Sequence, residues 1–323
     1  MDFIKHYVAL IQSEIHQLDL PDTPETLYEP QRYILRSKAK RVRPVLTLIA
    51  AGMCGKPIEK SLPAAIAVEL VHNFSLIHDD IMDQAESRRG NQTVHIKWDA
   101  STAILSGDGM LIQALLQLHK LAPEIDHKKI NHVFLEGINR VCEGQALDME
   151  FEDRLDVNTE EYLNMISGKT AALIAVSMEM GGICANADSY KIDTLREIGY
   201  SLGIAFQIQD DILDVTADPE KFGKRKGGDI YEGKKTYLML QALELSNKVE
   251  KKWLSKCLQN KPIQKTDVKK IIDLYDKYGI PAKAESIMNG YYEKAEKALH
   301  TFEDSEYKGD LSKLINYLRN REF

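Results

Sequence analysis

Apolar positions recur at helical spacing along almost the whole chain. Over residues 63–81 they include Ala65, Ile66, Val68, Leu70, Val71, Phe74, Leu76 and Ile77. That stretch is apolar on nearly every side, so it predicts a helix in the middle of a bundle rather than on its surface. Pro63 would take the first helical position, where a missing N–H costs nothing. Residues 195–215 read the same way through Ile198, Leu202, Ile204, Ala205, Phe206, Ile208 and Ile212. Amphipathic helices are predicted over 3–18, 42–51, 100–121, 130–142, 159–180, 237–259, 265–278 and 281–299, with a short last one over 310–318. No segment alternates cleanly as a strand would, and no hairpin signal is flanked by strands. Breaks fall at 21–30, 88–92, 152–158 and 218–228, and none reads as a domain linker. The pattern therefore predicts one all-α domain over 1–323, built from ten or more helices.

Composition narrows the class. The chain has 323 residues, 44% hydrophobic and 28% charged, which suits a globular protein with a large core. A net charge of −7 argues against a general nucleic-acid binder. Basic residues cluster locally, at 38–43, at Arg88 and Arg89, and over 221–235. In an acidic chain such clusters point to a specific anionic ligand. Cys54, Cys142, Cys184 and Cys257 are scattered and form no C-x-x-C, so free thiols in a reducing cytoplasm are expected. No stretch reaches the roughly 18 apolar residues a membrane span needs.

Two acidic triplets carry the candidate chemistry. The first is Asp79, Asp80 and Asp83; the second, 131 positions further on, is Asp210, Asp211 and Asp214. Both have the form D-D-I-x-D and both interrupt an apolar helical stretch. Residues four apart share a helix face, so Asp79 pairs with Asp83 and Asp210 with Asp214, with the middle aspartate alongside. Carboxylates set into apolar helix ends are costly unless cations gather them. Hard divalent cations holding phosphate oxygens are the natural candidates. A single triplet at a helix end would read about equally well as solvated surface; two copies make that reading minor.

Basic and glycine residues follow each triplet. Arg88, Arg89 and Gly90 come after the first; Gly223, Lys224, Gly227, Gly228, Asp229 and Lys234 come after the second. Arginine forks and lysine point charges suit diphosphate oxygens, and glycines let a loop close over a ligand. Lys40, Arg41 and Arg43 form a third basic group. His72 lies about two turns before Asp79 on the apolar helix and, alone, reads as a satisfied core histidine. Lys169, Thr170 and Gln207 are polar groups in apolar helices and need partners.

These residues, in this order, resemble the all-trans polyprenyl diphosphate synthases, the short-chain isoprenyl group. The resemblance runs from Lys38 to Lys235. It rests on both aspartate motifs, Arg88-Arg89-Gly90, Gly107-Asp108, Gly144-Gln145-x-x-Asp148, Lys169-Thr170, Phe206-Gln207, and Gly223-Lys224 followed by Gly227-Gly228-Asp229. The wording around the first motif is similar to bacterial and archaeal members. The resemblance implies a helix bundle around a deep central cavity and a homodimer. It implies three Mg²⁺ ions held mainly by Asp79, Asp83 and Asp210, with Asp80, Asp211 and Asp214 assisting. Arg88, Lys169, Lys224 and Lys234 would then hold the allylic diphosphate (dimethylallyl, geranyl or farnesyl). Lys40, Arg43, His72 and Arg89 would bind isopentenyl diphosphate, and Thr170 and Gln207 would face the allylic carbon. The family's usual Gly-Gly before the first basic motif is replaced by Lys38-Ala39.

The implied reaction is a head-to-tail condensation in which the allylic C–O bond breaks first. Cations and lysines are aimed where charge develops on the leaving oxygens, and water must be kept from the allylic cation. Phe74 lies five residues before Asp79, about 7–8 Å down the helix, and would act as a floor for the growing chain. In the family it resembles, an aromatic there, below the small Ser75, fits fifteen- to twenty-carbon products, so geranylgeranyl diphosphate is expected, with farnesyl diphosphate as the alternative. A class I terpene cyclase and a silent regulatory subunit are less consistent with the chain: both triplets are intact, and the Lys40, Arg43 and His72 set provides for a second diphosphate.

Overall fold

The computed structural model describes residues 1–217 and 226–321. Residues 218–225, with Gly223 and Lys224 among them, lie outside the described residues. In chain order the helices are α1 (Lys5–His16), α2 (Glu25–Leu35), α3 (Val42–Met53), α4 (Leu62–Met82), α5 (Val94–Lys97), α6 (Ala100–Leu118), α7 (His127–Asp153), α8 (Thr159–Ile166), α9 (Ala172–Cys184), α10 (Ser189–Thr216), α11 (Gly228–Glu232), α12 (Tyr237–Leu245), α13 (Lys248–Gln259), α14 (Lys265–Lys277), α15 (Ile280–Leu299) and α16 (Glu306–Arg319). The fold class is all-α, as the periodicity predicts. No helix among the described residues is long and apolar enough to cross a membrane.

Four local features depart from the sequence reading. Helix α2 runs through the expected break at 21–30. Pro24 only caps it, and Pro30 sits at its sixth residue, so one early backbone bond is lost while Gln31, Ile34 and Leu35 are buried. The break at 88–92 is a two-residue hairpin, Ser87–Arg88 against Asn91–Gln92. Its central residues, Arg89 and Gly90, have φ of 53° and 78°, the left-handed geometry that a tight hairpin requires. The expected helix 237–259 is two helices, because Asn247 accepts from the amides of Val249 and Glu250 while Glu250 returns to the Asn247 amide. The expected helix 159–180 is interrupted by one π turn, Ser167–Ala171. Such turns mark functional positions more often than chance, and this one carries Lys169 and Thr170.

The chain divides into two compact units. The first comprises Met1–Glu136, Val176–Arg196 and Phe302–Leu311. Its centre is α4, where Ala64, Ala65, Ile66, Ala67, Val68, Leu70 and Val71 are all buried in succession. Burying one leucine such as Leu70 is worth about 1.5–3 kcal/mol. Helix α6 packs along α4 through a stripe of mostly small residues, Ala103, Ser106, Gly107, Met110 and Ala114. The second unit comprises Gly137–Ala175, Glu197–Thr301 and Ser312–Phe323. Within it Gly199 and Gly203 of α10 lie directly on the backbone of residues 171–175: side-chain carbons there would overlap Ala175 and Ala171.

Candidate active site

In the first unit the triplet Asp79, Asp80 and Asp83 closes α4, with Asp83 as its C-cap. Three carboxylates at the negative end of a helix dipole raise the demand for cations. Asp80 is buried at 1% exposure, and its Oδ1 accepts from Arg88 Nε at 2.7 Å. Its Oδ2 is buried and accepts no hydrogen bond. Burial pushes the Asp80 carboxyl up, and Arg88 pulls it back. Arg88 thus rests on Asp80 and sits at the hairpin whose turn is Arg89-Gly90. Asp79 is half-buried and Asp83 exposed.

A cationic cradle lies in the same unit. Arg43 Nη1 stands 3.3 Å from His72 Nε2. Burial, then the charges of Arg43, Arg89, Arg88 and Arg41, hold the His72 imidazole well below its ordinary pKa. A neutral ring among four guanidinium groups is an acceptor for Arg43, and the surplus of positive charge calls for an anion. Burial also lowers Arg43, to about 10, against the favourable charge of Glu69, so it stays cationic near neutrality. Arg89 Nη1 lies 3.4 Å from Ser37 Oγ. Lys40 is exposed on the loop before α3.

The cradle has a buried foundation that sequence reasoning missed. Arg41 caps α3 in the left-handed region at φ 51°. Its side chain pairs with Glu69, itself 1% exposed, and donates to the Leu35 carbonyl at 2.5 Å. Asn73 donates to Glu69 at 2.8 Å. A glutamate inside an apolar helix demands such partners, and that was the available signal. The left-handed residue is Arg41, whereas Lys38 and Ala39 have no positive φ. The loop therefore needs no glycine freedom where the family usually has Gly-Gly.

Phe74 is half-buried, and its ring meets that of His78 edge-on at 4.8 Å. The His78 ring lies against Gly107 of α6, where any side chain would overlap it, and its Nε2 is 3.2 Å from the Ile104 carbonyl.

In the second unit the triplet Asp210, Asp211 and Asp214 lies in the last two turns of α10. Its members do different things. Asp211 is buried at 4% exposure and accepts from Tyr162 Oη at 2.6 Å, the Tyr237 amide at 2.9 Å and Gln207 Nε2 at 3.3 Å. Burial pushes its carboxyl up to about 8, against those donors. Asp214 faces the Asp229 amide at 3.3 Å, and its carbonyl accepts from the Gly227 amide at 2.8 Å, so it anchors the Gly227-Gly228-Asp229 turn. Asp210 forms an ion pair with Arg321. Tyr162 and Arg321 carried no motif and were not predicted.

The Gly144-Gln145-x-x-Asp148 and Lys169-Thr170 motifs meet in this unit. Gly144 touches the backbone of Gly168 and Lys169 so closely that a methyl group would overlap it. Asp148 Oδ2 holds Lys169 Nζ at 2.5 Å. Thr170 Oγ1 donates to Gln207 Oε1 at 2.9 Å, extending the Asp211 network to the π turn. A cavity of about 110 Å³ lies here, lined by Asp148, Tyr162, Lys169, Gln207, Asp211, Asp229 and Lys234 among others. Lys234 Nζ is 2.8 Å from Glu232 and 3.7 Å from Asp229. The next residue, Lys235, turns inward to the Glu152 carbonyl at 2.9 Å.

Among the described residues no three metal-ligating side chains converge to make a closed metal site of their own. The donors present still fit a hard divalent cation: the buried Asp80 Oδ2 accepts no hydrogen bond, and Asp210 already draws a positive charge, the Arg321 guanidinium. Carboxylates of this kind would share an ion with oxygens of a phosphorylated substrate.

Comparison with known proteins fits this chemistry. A family model described as polyprenyl synthetase matches residues 24–275. The geranylgeranyl diphosphate synthase of Sulfolobus acidocaldarius is 39% identical over 98% of this chain and 92% of its own length. The crystal structure of geranylgeranyl pyrophosphate synthetase from Pyrococcus horikoshii superposes with a TM-score of 0.93 at 39% identity, covering 99% of this chain and 97% of that one. A polyprenyl synthase from Caulobacter crescentus, solved with calcium and isoprenyl diphosphate, gives a TM-score of 0.87 at 27% identity over 100% and 95% of the two chains. On these matches the chain belongs to the polyprenyl synthetase family and is a prenyl-transferring enzyme that makes short-chain prenyl diphosphates.

Proposed function

We propose that the enzyme condenses isopentenyl diphosphate head-to-tail with an allylic diphosphate and releases geranylgeranyl diphosphate, the whole chain acting as one synthetase domain in the cytoplasm. The observation that carries this reading is the composition of each unit: a carboxylate triplet at a helix C-terminus beside cationic side chains held by other elements. The proposed metal is Mg²⁺, three ions, with Asp79, Asp83 and Asp210 as main ligands. When bound, it neutralises charge developing on the departing diphosphate. Asp80, Asp211 and Asp214 assist directly or through water, and they also hold an arginine, a hydroxyl and a turn amide in position.

Lys169 and Lys234 line the cavity and bring positive charge to the allylic diphosphate, together with Arg88 and Lys224. The Thr170 and Gln207 pair is fixed by Asp211, so its dipoles are oriented before substrate arrives. Lys40, Arg43, neutral His72 and Arg89 take the diphosphate of isopentenyl diphosphate. No side-chain nucleophile is needed: ionisation of the C–O bond releases diphosphate, the double bond of isopentenyl diphosphate attacks the allylic carbon, and the proton then lost passes to the released diphosphate. The relatives named geranylgeranyl diphosphate synthase support the twenty-carbon product.

The test is incubation with Mg²⁺, isopentenyl diphosphate and dimethylallyl, geranyl or farnesyl diphosphate, with products resolved by chain length. A twenty-carbon product is expected from all three primers. A fifteen-carbon endpoint would move the assignment to farnesyl diphosphate, and no elongation would overturn it. In the same assay Phe74→Ala should shift the products to longer chains, since the ring would floor the channel beside α4. Unchanged lengths would remove Phe74 from that role.

A homodimer is part of the proposal. Leu105, Ile112 and Leu116 form an exposed apolar stripe on α6 at 61%, 55% and 49% exposure, and Leu135 is exposed on α7. A stripe at i, i+7 and i+11 matches a helix face seeking another helix, here that of a second copy. Light scattering should return twice the chain mass, and a monomer at micromolar concentration would refute this part.

A further inference from the structure

Arg321 follows α16 and is bound to the second triplet by a built set of contacts. Its Nη2 pairs with Asp210 and donates to the Phe206 carbonyl at 3.1 Å. Its Nε donates to Gln209 Oε1 at 3.0 Å, and the guanidinium covers the Phe206 ring at 3.9 Å. Gln209 is itself buried at 4% exposure. It accepts from Tyr292 Oη at 3.0 Å and donates to the Arg319 carbonyl at 2.9 Å. Arg319 is tied in turn to Asn289 at 2.9 Å. The guanidinium is therefore delivered to Asp210 by a scaffold and is only 10% exposed, while Asp210 is 38% exposed.

The metal proposal gives Asp210 a second cation to bind. A divalent ion at this carboxylate would meet a fixed positive charge in contact with the same group, and the two cations repel. We propose that Arg321 is the resident counter-cation of Asp210, and that divalent-metal loading requires it to yield that carboxylate. The inference rests on the proposed metal role of Asp210. Arg321 is a positioning residue on this account. It neutralises the helix end while metal is away and sets the metal concentration at which the site fills. Released from Asp210, its guanidinium keeps the Phe206 ring, the Phe206 carbonyl and Gln209 as partners, so the exchange needs no unfolding.

Thermodynamic linkage makes the idea testable, because coupling between two ligands of one group is reciprocal. If the pair stabilises the metal-free protein, breaking it must tighten metal binding to the same extent. The experiment compares wild type with Arg321→Met, which keeps the stack on Phe206, and with the milder Arg321→Lys. Mg²⁺ is titrated in the presence of inorganic pyrophosphate by calorimetry, and melting temperature is recorded with and without both. Arg321→Met should bind Mg²⁺ about tenfold more tightly, and Arg321→Lys less so, in the same direction. The variants should melt below wild type without metal, and the gap should close at saturating Mg²⁺ and pyrophosphate. In an Asp210→Asn background the Arg321→Met effect on Mg²⁺ affinity should vanish. Unchanged or weaker Mg²⁺ binding in the variants, or a melting gap that saturating Mg²⁺ leaves open, overturns the inference. Should Arg321→Met not fold, the Arg321→Lys titration decides alone. Wild type that takes up no Mg²⁺ with pyrophosphate would instead sink the parent reading of Asp210.

Discussion

Asp79→Asn and Asp210→Asn should each lower turnover by about 10³-fold or more while leaving a folded protein, Asp210→Asn with a lower metal-free melting temperature because Arg321 loses its charged partner. An asparagine keeps the volume but halves the oxygen donors and removes the charge that a hard cation requires. Loss of one metal contact to the departing diphosphate forfeits several kcal/mol of transition-state stabilisation, and each 1.36 kcal/mol is tenfold in rate. The aspartates beside them should behave differently. Asp211 accepts three donors in a buried setting, so Asp211→Asn should destabilise the fold by about 1–3 kcal/mol, through donors left unsatisfied. Asp80→Asn should likewise leave Arg88 without its charged partner. Steady-state kinetics with thermal melts separates the two groups. A melting loss in Asp79→Asn equal to that in Asp211→Asn, or near-normal turnover in Asp79→Asn, would contradict the division of labour.

Gly144→Ala should be the most damaging small substitution outside the acidic triplets. Its new methyl would overlap the backbone at Gly168 and Lys169, and backbone cannot step aside as a side-chain tip can. The π turn would move, carrying Lys169 off Asp148 and Thr170 off Gln207. A shift of about 1 Å in a positioning element costs on the order of 10²-fold in rate. We expect that loss in kcat, with a modest fall in melting temperature. A control is Gly290→Ala, where nothing lies within 4 Å of the added carbon; it should keep full activity. Wild-type kinetics in Gly144→Ala would show that the close approach is not what places Lys169.

Much of this was legible in the sequence because two signals were strong. Nearly continuous apolar runs announced α4 and the second half of α10, residues 201–215, which are buried at most positions. Charge set into those runs announced the triplets. Other features hid for identifiable reasons. The prolines at 21, 24 and 30 read as a break, although a proline near a helix start removes little. The Arg89-Gly90 hairpin was too short to show alternation. Asn247 ends one helix and starts the next through a capping box that helical periodicity runs straight across. Tyr162 and Arg321 were invisible as partners of the second triplet, since their contacts lie 49 and 111 positions away in sequence. Spacing could mark which aspartates share a helix face, but only the packing shows that Asp211 looks inward and that Asp80 already holds Arg88.

The central claim is that aspartates at the ends of α4 and α10 hold divalent metal on a prenyl diphosphate. Its most direct test is a crystal grown with Mn²⁺ and a non-ionising allylic diphosphate analogue, the metal located by anomalous scattering. The account predicts manganese peaks at bonding distance from Asp79, Asp83 and Asp210, sharing diphosphate oxygens, with Arg321 withdrawn from Asp210. Analogue bound elsewhere, or a diphosphate held by the lysines and arginines with no metal at those three carboxylates, would contradict it.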